Sequence, residues 1–312
     1  MSREWMNGKI HQVACLFENE NLDKAIAAFN QMLGTQPYDD WTIVENKELI
    51  CANGEHRTDA WLRAQNYPFD NIQVEFMGTN DAPSGWSYCL EARGEKFGHF
   101  AQFSKDRDSD FAVAMEDGWE RTLEGVEYWG GFINLEHPDC PWFYKEMYYI
   151  PGCDKWLTSP IPPNRTIADY LDDLMLLEVG VAVADVEEAV TKFCRLHGRE
   201  VPQITEVVDA DPEYKGESAG AIIKKSVKIV FEDIALEFYQ PVNDMGIYKS
   251  WLEEKGEGIS HFVFSVEDLP ASIEKAKKQG LEVAQKGCDN YGEYVCLTYS
   301  EFPWLYIRLI SK

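Results

Sequence analysis

Positive charge is scarce in this chain. Lysine and arginine total 29 against 54 acidic residues in a length of 312, for a formal net charge of −25. A surface so acidic excludes nucleic acid and anionic membranes as expected partners, because both require a basic face. Long apolar runs are also missing. The start, "MSREWMNGKIHQ", has no apolar stretch of signal-peptide length, and no segment approaches membrane-spanning length. Paired cysteines are absent as well. The eight cysteines (Cys15, Cys51, Cys89, Cys140, Cys153, Cys194, Cys288 and Cys296) are scattered with no CxxC pair, which argues against a disulfide framework and a zinc-thiolate site. A cytoplasmic protein with reduced, core-filling thiols is expected.

What the chain does have is apolar and aromatic residues in globular proportion, 45% and 13%. Its length allows two domains. An internal repeat supports that division. "GEKFGHFAQF" begins at Gly94 and "GEGISHFVFS" at Gly256; "PWFYKEM" begins at Pro141 and "PWLYIRL" at Pro303. Both pairs are 162 residues apart, so two separate matches share one register. The halves are assigned to residues 1–150 and 174–312. Between them, residues 151–173 are rich in proline and polar residues, and read as a linker.

Each half divides again. Strand-like "IHQVACLF" precedes "NLDKAIAAFNQMLG", which has apolar residues at helical spacing and Gly34 as a stop. Strand-like "WTIVENKELI", "TDAWLRA" and "NIQVEFMG" follow, giving a β-α-β-β-β unit. The pattern returns three times, with "FGHFAQFS", "LLEVGVAVADVEEAV" and "ISHFVFSVEDLPASI" opening the later units. The expected fold class is therefore α+β, four βαβββ modules whose curved sheets carry helices outside.

Polar residues recur at equivalent strand positions. The first strands place His11, His99, Glu178 and His261 just ahead of apolar stretches, and the last strands place Glu75, Glu146, Glu237 and Arg308 in their interiors. Inward-pointing charge on a strand is costly unless compensated. In the first half, His11, Glu75, His99 and Glu146 supply two imidazoles and two carboxylates, which one divalent ion (Zn, Ni, Co, Mn or Fe) compensates together. In the second half, Arg308 stands where a carboxylate is expected. Glu178, Glu237, His261 and Arg308 therefore read as a degenerate, metal-free site with its own ion network, or as a pocket where Arg308 meets an anion. The remaining histidines, His56, His137 and His197, read as surface or cap residues.

At these residues the chain resembles the vicinal oxygen chelate superfamily, which includes glyoxalase I, methylmalonyl-CoA epimerase, extradiol dioxygenases and drug-resistance proteins. "GEGISHFVFSVEDLPASIEKAKKQGLEV" is similar to the opening of the second epimerase module, and "INLEHPDCPWFYKEM" to its end. The resemblance covers nearly the whole chain and implies two glyoxalase-like domains built from paired modules. It places the metal ligands on His11, Glu75, His99 and Glu146, with Glu75 and Glu146 as catalytic proton carriers. It also implies a small-molecule substrate with adjacent oxygens, and a monomer or homodimer. Epimerases of the family usually have glutamine where Glu75 stands, and a base on the third strand. Here that strand, "TDAWLRA", has only Asp59 nearby.

Three functions follow from the resemblance. A metal-dependent lyase or isomerase would remove a proton beside a carbonyl and stabilise the enolate on the metal. An Fe(II) ring-cleaving dioxygenase would need two histidines and a glutamate, normally in the C-terminal half. A binding protein without chemistry would use tryptophans such as Trp61, Trp86, Trp129 and Trp142 as pocket walls. The first is the reading preferred on sequence.

Overall fold

A computed structural model describes residues 4–33, 42–44, 48–80, 82–127, 129–157 and 165–312. Gly34, residues 45–47 of the expected strand and residues 158–164 of the linker lie outside these. The first module comprises α1 (Glu4–Asn7), β1 (Gln12–Glu18), α2 (Asn19–Leu33), β2 (Thr42–Val44), β3 (Glu48–Cys51), β4 (His56–Arg57), β5 (Leu62–Pro68) and β6 (Gln73–Thr79). Helix α3 (Gly85–Arg93) leads to the second, made of β7 (Lys96–Phe103), α4 (Arg107–Glu116), β8 (Glu120–Val126), β9 (Gly131–Glu136) and β10 (Tyr144–Tyr149). The third has β11 (Glu178–Ala182), α5 (Val186–His197), β12 (Thr205–Asp209), β13 (Glu213–Tyr214), β14 (Glu217–Ser218), β15 (Ile222–Phe231) and β16 (Ile234–Pro241). Helix α6 (Ile247–Lys255) leads to the fourth: β17 (Gly258–Val266), α7 (Leu269–Lys278), β18 (Glu282–Asp289), β19 (Gly292–Tyr299) and β20 (Phe302–Ser311).

Local chemistry sets these elements. Helix α2 buries Leu22, Ala25, Ile26, Phe29, Met32 and Leu33, the stripe its helical spacing predicts. Asp106, Asp185 and Asp268 cap α4, α5 and α7, each carboxylate accepting the amide three residues on. Such caps contribute about 1 kcal/mol each.

Pairing follows one plan twice. In the N-terminal half the order is β2-β5-β6-β1-β7-β10-β9-β8, and in the C-terminal half it is β12-β15-β16-β11-β17-β20-β19-β18. The fold class expected from sequence is the one observed. The two curved sheets meet where Phe97 of β7 pairs with Ile259 of β17, residues that are themselves 162 apart. Aromatic contacts cross the joint, including Phe97 with Phe262 at 4.9 Å and Trp142 with Phe238 at 5.6 Å. One apolar core therefore runs through both halves. The second part of the linker is built into it: Tyr170 and Leu171 are buried, and Ala168 N donates to Leu33 O.

Candidate functional site

Strand register decides which side chains face into each cup. In the N-terminal half Ala14 of β1 lies directly beside Glu75 of β6 and His99 of β7, while Tyr144 of β10 pairs with His99. Glu146, two residues beyond Tyr144, is on the same face. Across the remaining ladders Asn66 pairs with Glu75, and Asn134 with Glu146. The register thus brings Glu75, His99 and Glu146 onto one concave floor, with Asn66 and Asn134 beside them.

His11 is not brought there. It lies three positions before Ala14, and side chains alternate faces along a strand, so it points to the other side of the sheet. Its ring stacks on Trp156 at 5.0 Å between centroids and lines a cleft of about 60 Å³ with Phe69 and Asn71. Burial, aided by Lys9, depresses its pKa to about 4. The repeat register explains the misplacement. Ala14 and Gly180 flank the equivalent glutamate and histidine in the two halves, so the first strands are related by 166 residues instead of 162. The first-strand donor position is held by Ala14 and Gly180, neither of which has a ligating atom.

The N-terminal floor is short of partners. His99 is fully buried, and neither ring nitrogen has a hydrogen-bond partner; Glu146 Oε2 stands 3.7 Å from its Nε2. Burial lowers the His99 pKa to about 3, so the ring is neutral. Burial raises Glu75 to about 8 and, with the neighbouring charge of Glu75, lifts Glu146 well above the carboxylate range. Asn66 Oδ1 and Asn134 Oδ1 are also buried without partners. Around this floor the wall is apolar, formed by Leu62, Met77, Trp86, Leu123, Phe132 and Tyr144. Among the described residues, no three His, Cys, Asp or Glu side chains are gathered as a preformed metal cage. The donor chemistry nevertheless fits a divalent cation, which would satisfy an orphaned imidazole and ionise two adjacent carboxyls.

The C-terminal cup has the same backbone plan and a different interior. Lys224 Nζ and Ser226 Oγ donate to Glu237 Oε1 at 2.7 and 2.6 Å. Arg308 donates to Tyr248 and to Asp289 at 2.9 and 2.6 Å, and lies 4.3 Å from the Tyr294 ring centroid. The cations Lys224 and Arg308 hold Glu237 ionised, its pKa lowered despite burial. His261 Nδ1 meets Ser260 and Tyr306, and the ring lies so close over Gly180 that an added Cβ would be 2.1 Å from it. Glu178, nearer the rim, pairs with Lys228. This set does not fit a metal ion, because two of its own cations already neutralise it.

Other expected positions are structural. His56 is exposed and paired with Glu48, His137 accepts from Asp139 N beside Trp119, and His197 is buried with Nδ1 against Phe193 O. Asp59 is an exposed partner of Arg57. A cavity of about 410 Å³ between α6 and β18–β20 is lined by Tyr214, Trp251 and Trp304, and contains none of the predicted site residues. Sequence reasoning missed Asn66 and Asn134. Strand parity with Glu75 and Glu146 was the signal available for them, once the ladder partners are known.

Comparison with known proteins agrees with this architecture. Residues 178–296 match the family model described as the Glyoxalase/Bleomycin resistance protein/Dioxygenase superfamily. Among solved structures, a triple mutant of 4-hydroxymandelate synthase from Streptomyces coelicolor is similar over 98% of this chain and 92% of that one, with a TM-score of 0.59 at 13% identity. A xylose isomerase-like TIM barrel/4-hydroxyphenylpyruvate dioxygenase fusion protein is similar over 98% of this chain and 49% of that one, with a TM-score of 0.57 at 12% identity. At such identities the likeness is one of fold. No curated protein matches the chain by sequence.

Proposed function

We propose, from the fold and from the match of residues 178–296 to the glyoxalase/bleomycin resistance protein/dioxygenase superfamily, that the N-terminal half of this chain is a metal-assisted proton-transfer site, a lyase or isomerase acting on a small carbonyl compound. The observation that carries this reading is His99, buried with both ring nitrogens unpartnered beside Glu146. His99, Glu75 and Glu146 would hold one divalent ion. When bound, such an ion polarises a carbonyl oxygen and stabilises negative charge developing on it.

The chain's own residues supply the rest. Burial raises Glu75 in the unloaded fold; beside a bound cation it would be ionised and able to take a proton from the carbon beside a carbonyl and return it to a neighbouring atom. Glu146, raised further and adjacent to His99, is the anchoring carboxyl. Ala14 supplies no ligating atom on the first-strand side of the floor, which leaves that position to a substrate oxygen. Trp86, Phe132 and Tyr144 keep water from the reacting atoms.

The test is metal content of protein purified without a metal-binding tag. Wild type is expected to carry about one divalent ion per chain, lost in His99→Ala and Glu146→Ala and kept in His261→Ala. Hydrogen–deuterium exchange beside the carbonyl of candidate ketones, followed by NMR, reads the chemistry. A wild type that neither carries nor takes up metal overturns the reading. A second reading, oxygen chemistry at Fe(II), draws on the 4-hydroxymandelate synthase and 4-hydroxyphenylpyruvate dioxygenase relatives by analogy of fold. Oxygen consumption with the same compounds under aerobic conditions would favour it over proton exchange alone.

A further inference from the structure

The helices that join the modules, α3 and α6, are 162 residues apart, and the same offset relates the β8–β9 ladder to the β18–β19 ladder. Their packing nevertheless differs. Gly85 opens α3 and sits so close to β8 that an added Cβ would be 2.9 Å from Leu123 Cβ and 3.2 Å from Thr122 O. Ile247 holds that place in α6, and a branched side chain cannot come as near. Gln285, the equivalent of Leu123, reaches across instead and accepts from Ile247 N at 2.9 Å. An ion pair is also lost. Arg93 of α3 pairs with Glu136 of β9 at 2.8 Å, whereas the equivalents in the C-terminal half are Lys255 and Thr298. Lys255 donates to Glu95 O and lies 4.5 Å from the Trp304 ring centroid. What is left between α6 and β18–β20 is the cavity of about 410 Å³. Small-molecule pockets span about 300–1,000 Å³.

Its walls are ordered. Trp251 and Trp304 are buried, and Trp251 Nε1 donates to Trp304 O at 3.0 Å. Tyr214, brought in by the β13–β18 pairing, meets Ser250 Oγ through its hydroxyl at 2.7 Å. These rings accept cations: Lys215 Nζ lies 5.1 Å from the Tyr214 ring centroid, as Lys255 does over Trp304. Glu254 and Glu282 complete the lining on the solvent side. Both are exposed, and neither forms an ion pair with another described residue. Two free carboxylates against Lys215 give the cavity a negative rim, in a chain whose net charge is already −25. An anion would be repelled there, and a neutral ligand would leave both carboxylates unused.

We infer that this cavity binds a small organic ammonium, such as an arylalkylamine, with its apolar body against Trp251 and Trp304 and its charge beside Glu254 and Glu282. The site lies apart from both cup floors and does not depend on the metal chemistry proposed for the N-terminal half.

Three indoles of similar size test the charge requirement on the full-length protein: cationic tryptamine, neutral tryptophol and anionic indole-3-acetate. Calorimetric titration is expected to give tryptamine at least about tenfold tighter binding than tryptophol, with indole-3-acetate weakest. The Glu254→Gln/Glu282→Gln double variant, altered only at exposed positions, should bind tryptamine about tenfold more weakly and tryptophol unchanged. Ser250→Tyr, which gives α6 the side chain that α3 has at Tyr88, should block all three. Should that variant not fold, Ala284→Phe fills the cavity from β18. Tryptamine that does not bind at millimolar concentration, or binds no better than tryptophol, overturns the inference. So does tryptamine affinity unchanged in the glutamine double variant or in a folded cavity-filling variant, since binding would then lie elsewhere.

Discussion

Where the N-terminal cup has Leu62, Ala64, Met77, Trp86, Phe132 and Glu146, the C-terminal cup has Lys224, Ser226, Tyr239, Tyr248, Tyr294 and Arg308. Both retain a glutamate on the last strand of the first module and a histidine on the first strand of the second, Glu75 with His99 and Glu237 with His261. The difference lies in how the buried carboxylate is compensated. Glu237 receives a lysine, a hydroxyl and a nearby guanidinium from the chain itself. Glu75 receives none of these, and burial pushes it towards the neutral form. A duplicated cup can therefore be closed by internal cations, or left with an orphaned floor for an ion and a substrate to complete.

The largest effect should come from breaking the internal pair. Lys224→Met leaves Glu237 buried without its closest cation, and a loss of about 3–5 kcal/mol is expected in urea unfolding. Leu62→Met at the equivalent place should change stability by less than about 1.5 kcal/mol. Similar losses in both variants would mean that the C-terminal network is not what compensates Glu237.

Next comes the contact that closes the first-strand position. Gly180→Ala forces a Cβ against the His261 ring and is expected to cost about 1–3 kcal/mol. Ala14→Gly, with no such contact to relieve, should cost about 0.5–1 kcal/mol from strand flexibility alone. A Gly180→Ala protein of wild-type stability would show that His261 has room to move, and that the C-terminal floor is less closed than described.

The comparison can also be crossed. Leu62→Lys transplants the C-terminal counter-ion into the N-terminal cup, where it can reach Glu75 as Lys224 reaches Glu237. Metal affinity is expected to fall at least tenfold, about 1.4 kcal/mol, while thermal stability in chelator is maintained. Undiminished metal content would separate Glu75 from the proposed ligand set.

The module architecture was legible in the sequence because two motif pairs share one 162-residue register, and helix and strand periods repeat between them. Glu75, His99 and Glu146 were legible for the same reason: each lies in that register, and the structure brings them onto one face. His11 was not placed correctly because the first strands follow a different spacing. A shift of three residues in a strand reverses the face, so an attractive histidine was assigned to a position held by Ala14. The linker was read from proline and polar content alone, which hides that Tyr170 and Leu171 anchor its second part in the shared core. Asn66 and Asn134 stayed hidden because isolated strand asparagines acquire meaning only from their cross-strand neighbours.

The most direct view of the contrast is the pH response of the two equivalent glutamates in chelator-treated protein. Glu75 is raised in the fold, to about 8, so its neutral form is the one folding favours. Its stabilising contribution is present at low pH and is lost as pH rises from the unfolded value, about 4.5, towards 8. Glu237 is lowered by Lys224 and Arg308, so its contribution is present above that unfolded value and lost on acidification. Glu75→Gln should therefore flatten the alkaline side of the stability profile, and Glu237→Gln the acidic side. Carboxyl-carbon NMR reads each group directly: the Glu75 signal should move near pH 8 while Glu237 stays ionised to well below pH 4. Titration of both glutamates in one range would mean that the two cups compensate buried charge in the same way, and the division of roles between the halves would have to be abandoned.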